Sequence, residues 1–293
     1  MTNYVLILIA DLLFSVQFLA TKIYSKNNPK AVVTSFSFSL GSNFVMLLYL
    51  LALTGFAPKF SLFSLGMALI TALMSVSSSY CSIAALNYIN LSMYSMFLML
   101  GSTMIPTVFG ILFWREDITV GKIICTVLIT IALILGVNRG DPTKKGGAKY
   151  YFLCFMLNGF SGIVAKYHQM HPDHVPSNSY LVLSSSLTCI IAFVVIMIAN
   201  RKRAKEIFTS PVSLGCMAGY AVVHGVAQLF SLITLEALPV SLQQPLVTGG
   251  VLGFSFIISV IMKEKVTVKN VVAFVLAVAS VFAISFLTTP IGA

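Results

Sequence analysis

Charge is what this sequence most lacks. Only 9% of its 293 residues are Asp, Glu, Lys or Arg, and 8 of them are acidic, whereas soluble domains carry about 25% charged residues. A soluble fold of this length could not cover its surface so sparingly, so that class is excluded. Paired cysteines are lacking too. Cys81, Cys125, Cys154, Cys189 and Cys216 all sit inside apolar runs, with no disulfide or zinc spacing. There is no low-complexity tract, which excludes disordered and fibrous chains. No nucleophile elbow, His-Glu-x-x-His, phosphate loop or pair of glycosidase carboxylates occurs, so no catalytic residue, cofactor or metal is expected and the chain does not read as an enzyme. The start, Met1-Thr2-Asn3, has no basic n-region, and the run after it holds Asp11 without a clear cleavage site. It reads as a first membrane helix rather than a removed signal peptide.

What is present is apolar sequence: 58% of the residues, with a mean hydropathy of +0.97. This reads as an integral membrane protein. Crossing the hydrocarbon core takes about 20 apolar residues, and charges and turn residues divide the chain into ten such segments: 3–21, 31–54, 61–86, 91–113, 120–138, 149–168, 178–199, 211–235, 241–262 and 269–288. Asn87-Tyr88-Ile89-Asn90 and Leu238-Pro239 break two runs too long for one helix. Thr119 and Thr267 are candidate N-caps. Barrel strands would need alternating stretches of about ten residues, so the expected class is an all-α membrane bundle of ten helices. The net charge of +10 comes from short basic clusters between apolar runs, a pattern of membrane topology and anionic lipid contact rather than of nucleic-acid binding.

The segments repeat. Thr71–Ser92 lies over Tyr220–Ser241 without a gap, matching Ser82 with Ser231, Leu86 with Leu235 and Ser92 with Ser241. After one gap, the run from Trp114 to Val120 meets the run from Met262 to Val268, and Phe14-Ser15 with Lys22 resembles Phe160-Ser161 with Lys166. Each half, 1–140 and 141–293, then carries five helices. Five is odd, so the second half enters the membrane inverted, an architecture of transporters with a site near the midplane.

Further residues carry a resemblance. Ala85-Leu86-Asn87-Tyr88 opens the fourth helix, Pro106 lies within it, and Glu116 and Gly121 follow it. In this the chain resembles an EamA-type member of the drug/metabolite transporter superfamily. The second half keeps Glu264 but has Lys269 where the pattern has Gly and Ala237 where it has Tyr. Phe14-Ser15 and Phe160-Ser161-Gly162 stand where Trp-Gly is usual. The resemblance implies a ten-helix bundle whose central cavity is lined by the first, third, fourth, sixth, eighth and ninth helices and works by alternating access. It implies no single substrate class. Orientation divides the two readings. Fourteen of the 18 basic residues fall on one face, which the positive-inside rule puts in the cytoplasm and the termini outside. The resemblance implies termini inside. The charge count is preferred, as a property of this chain.

Polar residues inside the apolar runs are the candidate site. Asp11 is the one carboxylate deep in a run, with Ser15 and Phe18 on its face. A charge at mid-bilayer is costly, about 2.5–3.5 kcal/mol on insertion scales, so Asp11 faces the interior or is neutral, as a proton-coupling or ammonium-binding group or as a packing residue. Its repeat partner is Asn158. The eighth segment carries Tyr220, His224 and Gln228 on one face, and the third carries Thr71, Ser75, Ser79 and Ser82. Matching stripes suggest facing walls of one cavity, or interhelical hydrogen bonds. Gln243-Gln244-Pro245 with Thr248-Gly249-Gly250, and Tyr94-Ser95 with Pro106, bend helices at a cavity or merely seat neighbours. Glu116 and Glu264 lie at helix ends, where a structural role in pairing with nearby cations or backbone amides is expected. Lys22 and Lys166 are expected to snorkel to the headgroups. His168, His171, Asp173 and His174 crowd one loop in no closed zinc pattern.

The leading expectation is a secondary transporter of a small organic metabolite, an amino acid, amine or drug-like solute, with proton coupling as one form. The alternatives are a flippase for a lipid-linked intermediate and, behind it, an intramembrane enzyme. No arginine cluster lies within the apolar runs, which speaks against phosphorylated cargo. Expected partners are the solute and membrane lipid, not nucleic acid. The chain is expected as a monomer or homodimer, multi-pass in the plasma membrane, specifically a bacterial inner membrane.

Overall fold

The computed structural model describes residues 2–28, 31–113, 118–136, 147–237, 240–264 and 267–287. These residues are all-helical. They form α1 (Thr2–Asn27), α2 (Val32–Leu53), α3 (Leu62–Ala85), α4 (Leu91–Phe113), α5 (Val120–Gly136), α6 (Ala148–Met170), α7 (Ser177–Ala199), α8 (Arg201–Thr209), α9 (Pro211–Ala237), α10 (Val240–Ile261) and α11 (Val268–Phe286). Six of them, α1, α2, α3, α4, α7 and α9, are long and apolar enough to cross a membrane by length and composition, and shorter apolar stretches lie in α5, α10 and α11. Large apolar side chains such as Leu8, Leu48, Leu73, Ile190 and Val275 stand exposed on the outer faces. A soluble monomer rarely leaves that much apolar surface to water, whereas lipid covers it at no cost. The chain is a multi-pass membrane protein on these grounds.

Local chemistry sets the helix ends. Ser61 caps α3, its hydroxyl accepting from the Ser64 amide at 3.1 Å. Asn90 caps α4 by accepting from Met93 N at 2.9 Å. Thr119 Oγ1 accepts from Lys122 N at 3.3 Å, and Pro211 occupies the first position of α9, where its missing N–H costs nothing. Past the end of α2, Gly55 takes a φ of +61°, the left-handed turn that closes many helices.

Two boundaries differ from expectation. α1 continues past residue 21 to Asn27, so Lys22 is a helix residue and not its end. The basic run at 201–205, read as a connector, opens a separate nine-residue helix, α8. Asn200 caps it by accepting from Arg203 N at 3.0 Å. Ala204 and Ile207 are buried against the bundle while Arg201, Lys202 and Lys205 face outward, so its two faces are too unlike for a loop.

The packing interleaves the chain's two ends. α1 rests on α9 and α10, and α6 rests on α3 and α4. α2 packs on α7 and α9, α3 on α7, α4 on α10, and α5 on α11. The largest buried cluster runs through Phe18, Tyr94, Phe97, Ile129, Phe155 and Val251, joining residues far apart in sequence. Close approaches use missing side chains. A Cβ on Gly101 of α4 would stand 2.8–2.9 Å from the Phe155 backbone of α6, and one on Gly159 would meet the Gly101 carbonyl oxygen at 2.6 Å. Such small-residue contacts are how membrane helices gain dispersion energy without a hydrophobic drive.

Candidate functional site

Asp11 is fully buried where α1 crosses α10. Neither of its carboxyl oxygens has a hydrogen-bond partner among the described residues. The carboxyl lies so close over Gly250 that a Cβ there would overlap it. Next to it, the Ser15 hydroxyl, also fully buried, lies 2.8 Å from the Asp11 carbonyl oxygen and 3.1 Å from that of Val251, donating to both. Ser15 therefore ties α1 to α10. Asp11 is left as a polar group in a dry helix crossing, an arrangement that costs stability rather than adding to it. Where α6 crosses α4, the half-buried Asn158 donates through Nδ2 to Leu98 O at 2.6 Å. The Asp11 carboxyl thus lacks a hydrogen-bond partner among the described residues, and the Asn158 side chain has one.

The stripe on α9 is half-buried at Tyr220, His224 and Gln228. His224 Nδ1 hydrogen-bonds Gln17 Oε1 of α1. Its ring stacks on Tyr220 at 5.2 Å and meets Phe14 edge-on at 6.1 Å. Tyr220 meets Phe38 of α2 edge-on at 5.0 Å. On α3, Ser75 and Ser79 are half-buried as well. Their stripe partners are engaged between helices: Thr71 Oγ1 lies 2.6 Å from the Tyr180 hydroxyl of α7, and Ser82 Oγ accepts from the Tyr94 hydroxyl of α4 at 2.8 Å. Tyr94 is buried, with Phe18 of α1 edge-on at 5.4 Å. Thus α1 joins the two polar regions: Gln17 and Phe14 touch the α9 stripe, and Phe18 touches the Tyr94–Ser82 pair of α4 and α3. Thr103 of α4 and Thr248 of α10 approach at 3.5 Å between their hydroxyls. The structure does not bring Asp11 into hydrogen-bond contact with this stripe.

Gln17 was missed by sequence reading, although it stands among apolar residues of α1 and that polarity was the available signal. Pro106 lies within α4, and Gly162 of α6 faces its ring at 3.4 Å from where a Cβ would stand. Glu116 lies outside the described residues, as do the side chains of Gln243, Gln244 and Pro245. Lys22 corrects an expectation, whereas Glu264 bonds a backbone amide and pairs with a cation at a helix end. Lys22 does not reach out to headgroups: it is 6% exposed and donates to Leu86 O at 2.7 Å and Ile89 O at 2.9 Å, with Glu264 Oε1 at 3.6 Å. It turns inward because α1 continues beyond it and the free carbonyls past the end of α3 lie within reach. Glu264 Oε2 accepts from Leu91 N at 2.7 Å and from Ser259 Oγ at 2.6 Å. Lys166 is exposed.

The histidine-rich connection between α6 and α7 is a packed corner. His168 Nε2 hydrogen-bonds Ser64 Oγ at 2.9 Å and its ring stacks on Tyr180 at 3.9 Å. His171 stacks on Phe63 at 3.7 Å. Among the described residues no three His, Cys, Asp or Glu side chains converge as metal ligands. A surface cleft of about 570 Å³ lies beside this corner, lined by Lys59, Ser61, Phe63, Asp173 and His174 among others.

No family model and no curated protein matches this chain. Solved structures do. One, described only as "Crystal structure of protein", is 14% identical, spans 98% of this chain and 97% of its own, and superposes with a TM-score of 0.64. At that identity the likeness is one of fold alone, extending over essentially the whole of both chains.

Proposed function

We propose that the chain is a secondary transporter of a small organic solute, built from two inverted five-helix repeats, 1–140 and 141–293, and working by alternating access in the plasma membrane. The observation that carries the reading is a symmetry of packing. If each long helix is exchanged for its counterpart in the other half, α1 on α9 and α10 becomes α6 on α3 and α4. The contact of α2 with α9 becomes that of α7 with α3, while the pairs α2–α7, α4–α10 and α5–α11 return themselves. Two like halves that swap roles in this way have two arrangements of similar energy, open to opposite sides, which is what alternating access requires. The polar groups follow the same exchange, with Asp11 at the α1–α10 crossing and Asn158 at the α6–α4 crossing. The resemblance to EamA-type transporters of the drug/metabolite superfamily adds to this reading through Ala85-Leu86-Asn87-Tyr88, Pro106 and Glu264. The half-buried Tyr220, His224 and Gln228 with Ser75 and Ser79 suit a polar, partly aromatic or amphipathic solute such as an amino acid or an organic amine. The membrane of a bacterial cell is the proposed location, and proton coupling through Asp11 the proposed drive.

A thermal-shift screen of the purified protein against amino acids, amines and nucleosides tests this. A solute at a hundred times its Kd stabilises by about 2.7 kcal/mol, which raises Tm by roughly 5–10 °C. A cognate class should stand out at that level and lose its effect in Gln228→Ala. A flat response across all three classes, with no uptake in vesicles, would remove the transporter reading.

A further inference from the structure

We infer that Lys22 and Glu264 form a latch that holds one end of the bundle closed, and that its release opens a path from that end towards the polar face; the inference rests on the alternating-access reading. Lys22 is 6% exposed, and its ammonium group donates to the carbonyls of Leu86 and Ile89, just past the end of α3, at 2.7 and 2.9 Å. Glu264, just past the end of α10, accepts at 2.7 Å from Leu91 N, the first residue of α4. The cation thus sits at the negative end of α3 and the carboxylate at the positive end of α4, each complementing a helix dipole and satisfying groups that helix ends leave free. The two charges lie 3.6 Å apart, so one compact cluster closes the α3–α4 turn.

The helices it joins make it a latch. Lys22 and Glu264 come from α1 and α10, which pack together. Their backbone partners belong to α3 and α4, each of which packs on α6. With α9, which packs on α1, counted in the first group and α6 in the second, exchange of the halves converts α1, α9 and α10 into α6, α3 and α4. A rocking of one group against the other must therefore break all these bonds at this end. A buried ion pair also suits a reversible closure better than a permanent brace. Its Coulomb gain is largely offset by desolvation, and opening returns both charges to water. The counterpart of Lys22 in the repeat, Lys166, is exposed where Lys22 is buried.

Cys81 reports on the path. It is 5% exposed and lies on α3, about a turn and a half inside Leu86. With Cys125, Cys154, Cys189 and Cys216 changed to alanine, it is the sole thiol, and its alkylation by a charged, membrane-impermeant reagent is timed in lipid vesicles or nanodiscs. Glu264→Gln keeps an oxygen for Leu91 N while removing the charge, and Lys22→Met leaves Glu264 its amide and hydroxyl partners. Each should raise the Cys81 rate by at least about fivefold, the scale of a local opening. A second background with Cys125 as the sole thiol, 2% exposed on α5, should show no change. An unchanged Cys81 rate in both variants overturns the latch. An equal rise at Cys125 means general loosening and overturns it too, as does failure of both variants to fold, which would mark a structural brace. The readout needs no cargo. Faster Cys81 alkylation in a protein that moves no solute keeps the gate and removes the transporter, while unchanged alkylation in a protein that transports removes the latch alone.

Discussion

Replacing Asp11 with alanine should make the protein more stable and less active. Both carboxyl oxygens are buried without a hydrogen-bond partner among the described residues. A buried unsatisfied polar group costs about 1–3 kcal/mol, a cost that Asp11→Ala removes. Against this, the lost carboxyl leaves a void of roughly 20–30 Å³, and at about 24 cal/mol per Å³ the void costs roughly 0.5–0.7 kcal/mol. The Ser15 bonds to the Asp11 and Val251 carbonyls use backbone acceptors and survive the change. The net gain is about 0.3–2.5 kcal/mol, or roughly 1–10 °C in Tm for a chain of this size. Thermal unfolding can be followed by a thiol-reactive fluorophore that reports exposure of the buried Cys125 and Cys154. Uptake driven by a proton gradient in vesicles is measured on the same preparation, and should be abolished in both Asp11→Ala and Asp11→Asn. A fall of several degrees in Asp11→Ala would refute the reasoning, because it would mean the carboxyl holds the α1–α10 crossing together. Normal proton-driven uptake by Asp11→Asn would leave Asp11 with no part in coupling.

Gly101→Ala should destabilise by about 1–3 kcal/mol, since its Cβ meets the Phe155 backbone, whereas Gly253→Ala, with open space around it, should gain up to about 1 kcal/mol; opposite Tm shifts check the pair. Cysteines at His224 and Gln228, in a background without native thiols, should react with a small aqueous reagent and be protected by cargo. A cysteine at the outward Val222 should not react, and equal reactivity around α9 would leave the stripe as interhelical glue. Gln17→Leu and His224→Leu should be non-additive in Tm, with a coupling of roughly 0.5–1.5 kcal/mol for their shared hydrogen bond. A reporter active only in the cytoplasm, fused to Ala293, should stay silent if the basic clusters lie inside, and a strong signal would reverse the orientation.

The helix boundaries were legible because the bilayer makes them so. A polar backbone cannot stop inside hydrocarbon, so several stops carry residues that satisfy helix ends: Thr119, expected as a cap, accepts a backbone amide, as do Asn90 at the expected break and Ser61. α8 escaped notice because it needs no apolar length. Two inward residues, Ala204 and Ile207, are enough when the rest of the helix is wetted. The stripes on α3 and α9 were visible by spacing, but spacing cannot tell a cavity wall from a hydrogen-bonded seam. Thr71 and Ser82 turn out to bond across to α7 and α4, while Ser75 and Ser79 between them remain half-buried.

Lys22 explains best why the rest was hidden. In sequence it is a lysine after an apolar run, and a flexible four-carbon stem near a membrane boundary ordinarily carries its charge to the headgroups. Two features redirect it, and neither is local. The helix continues to Asn27, which holds the side chain at bundle depth. The α3–α4 turn, 64–67 residues away in sequence, presents the Leu86 and Ile89 carbonyls to its ammonium group. Desolvating an ammonium group is unfavourable unless such acceptors and a carboxylate converge on it, and the convergence depends on Glu264 arriving from the other half of the chain. The same reasoning applies to Asp11. Its burial could be inferred from its place in α1, but that it lacks a hydrogen-bond partner among the described residues and lies directly over Gly250 of α10 is visible only in the packing. The buried ionisable groups of this protein acquire their roles from contacts between residues far apart in the chain, which is where a reading along one chain has least to say.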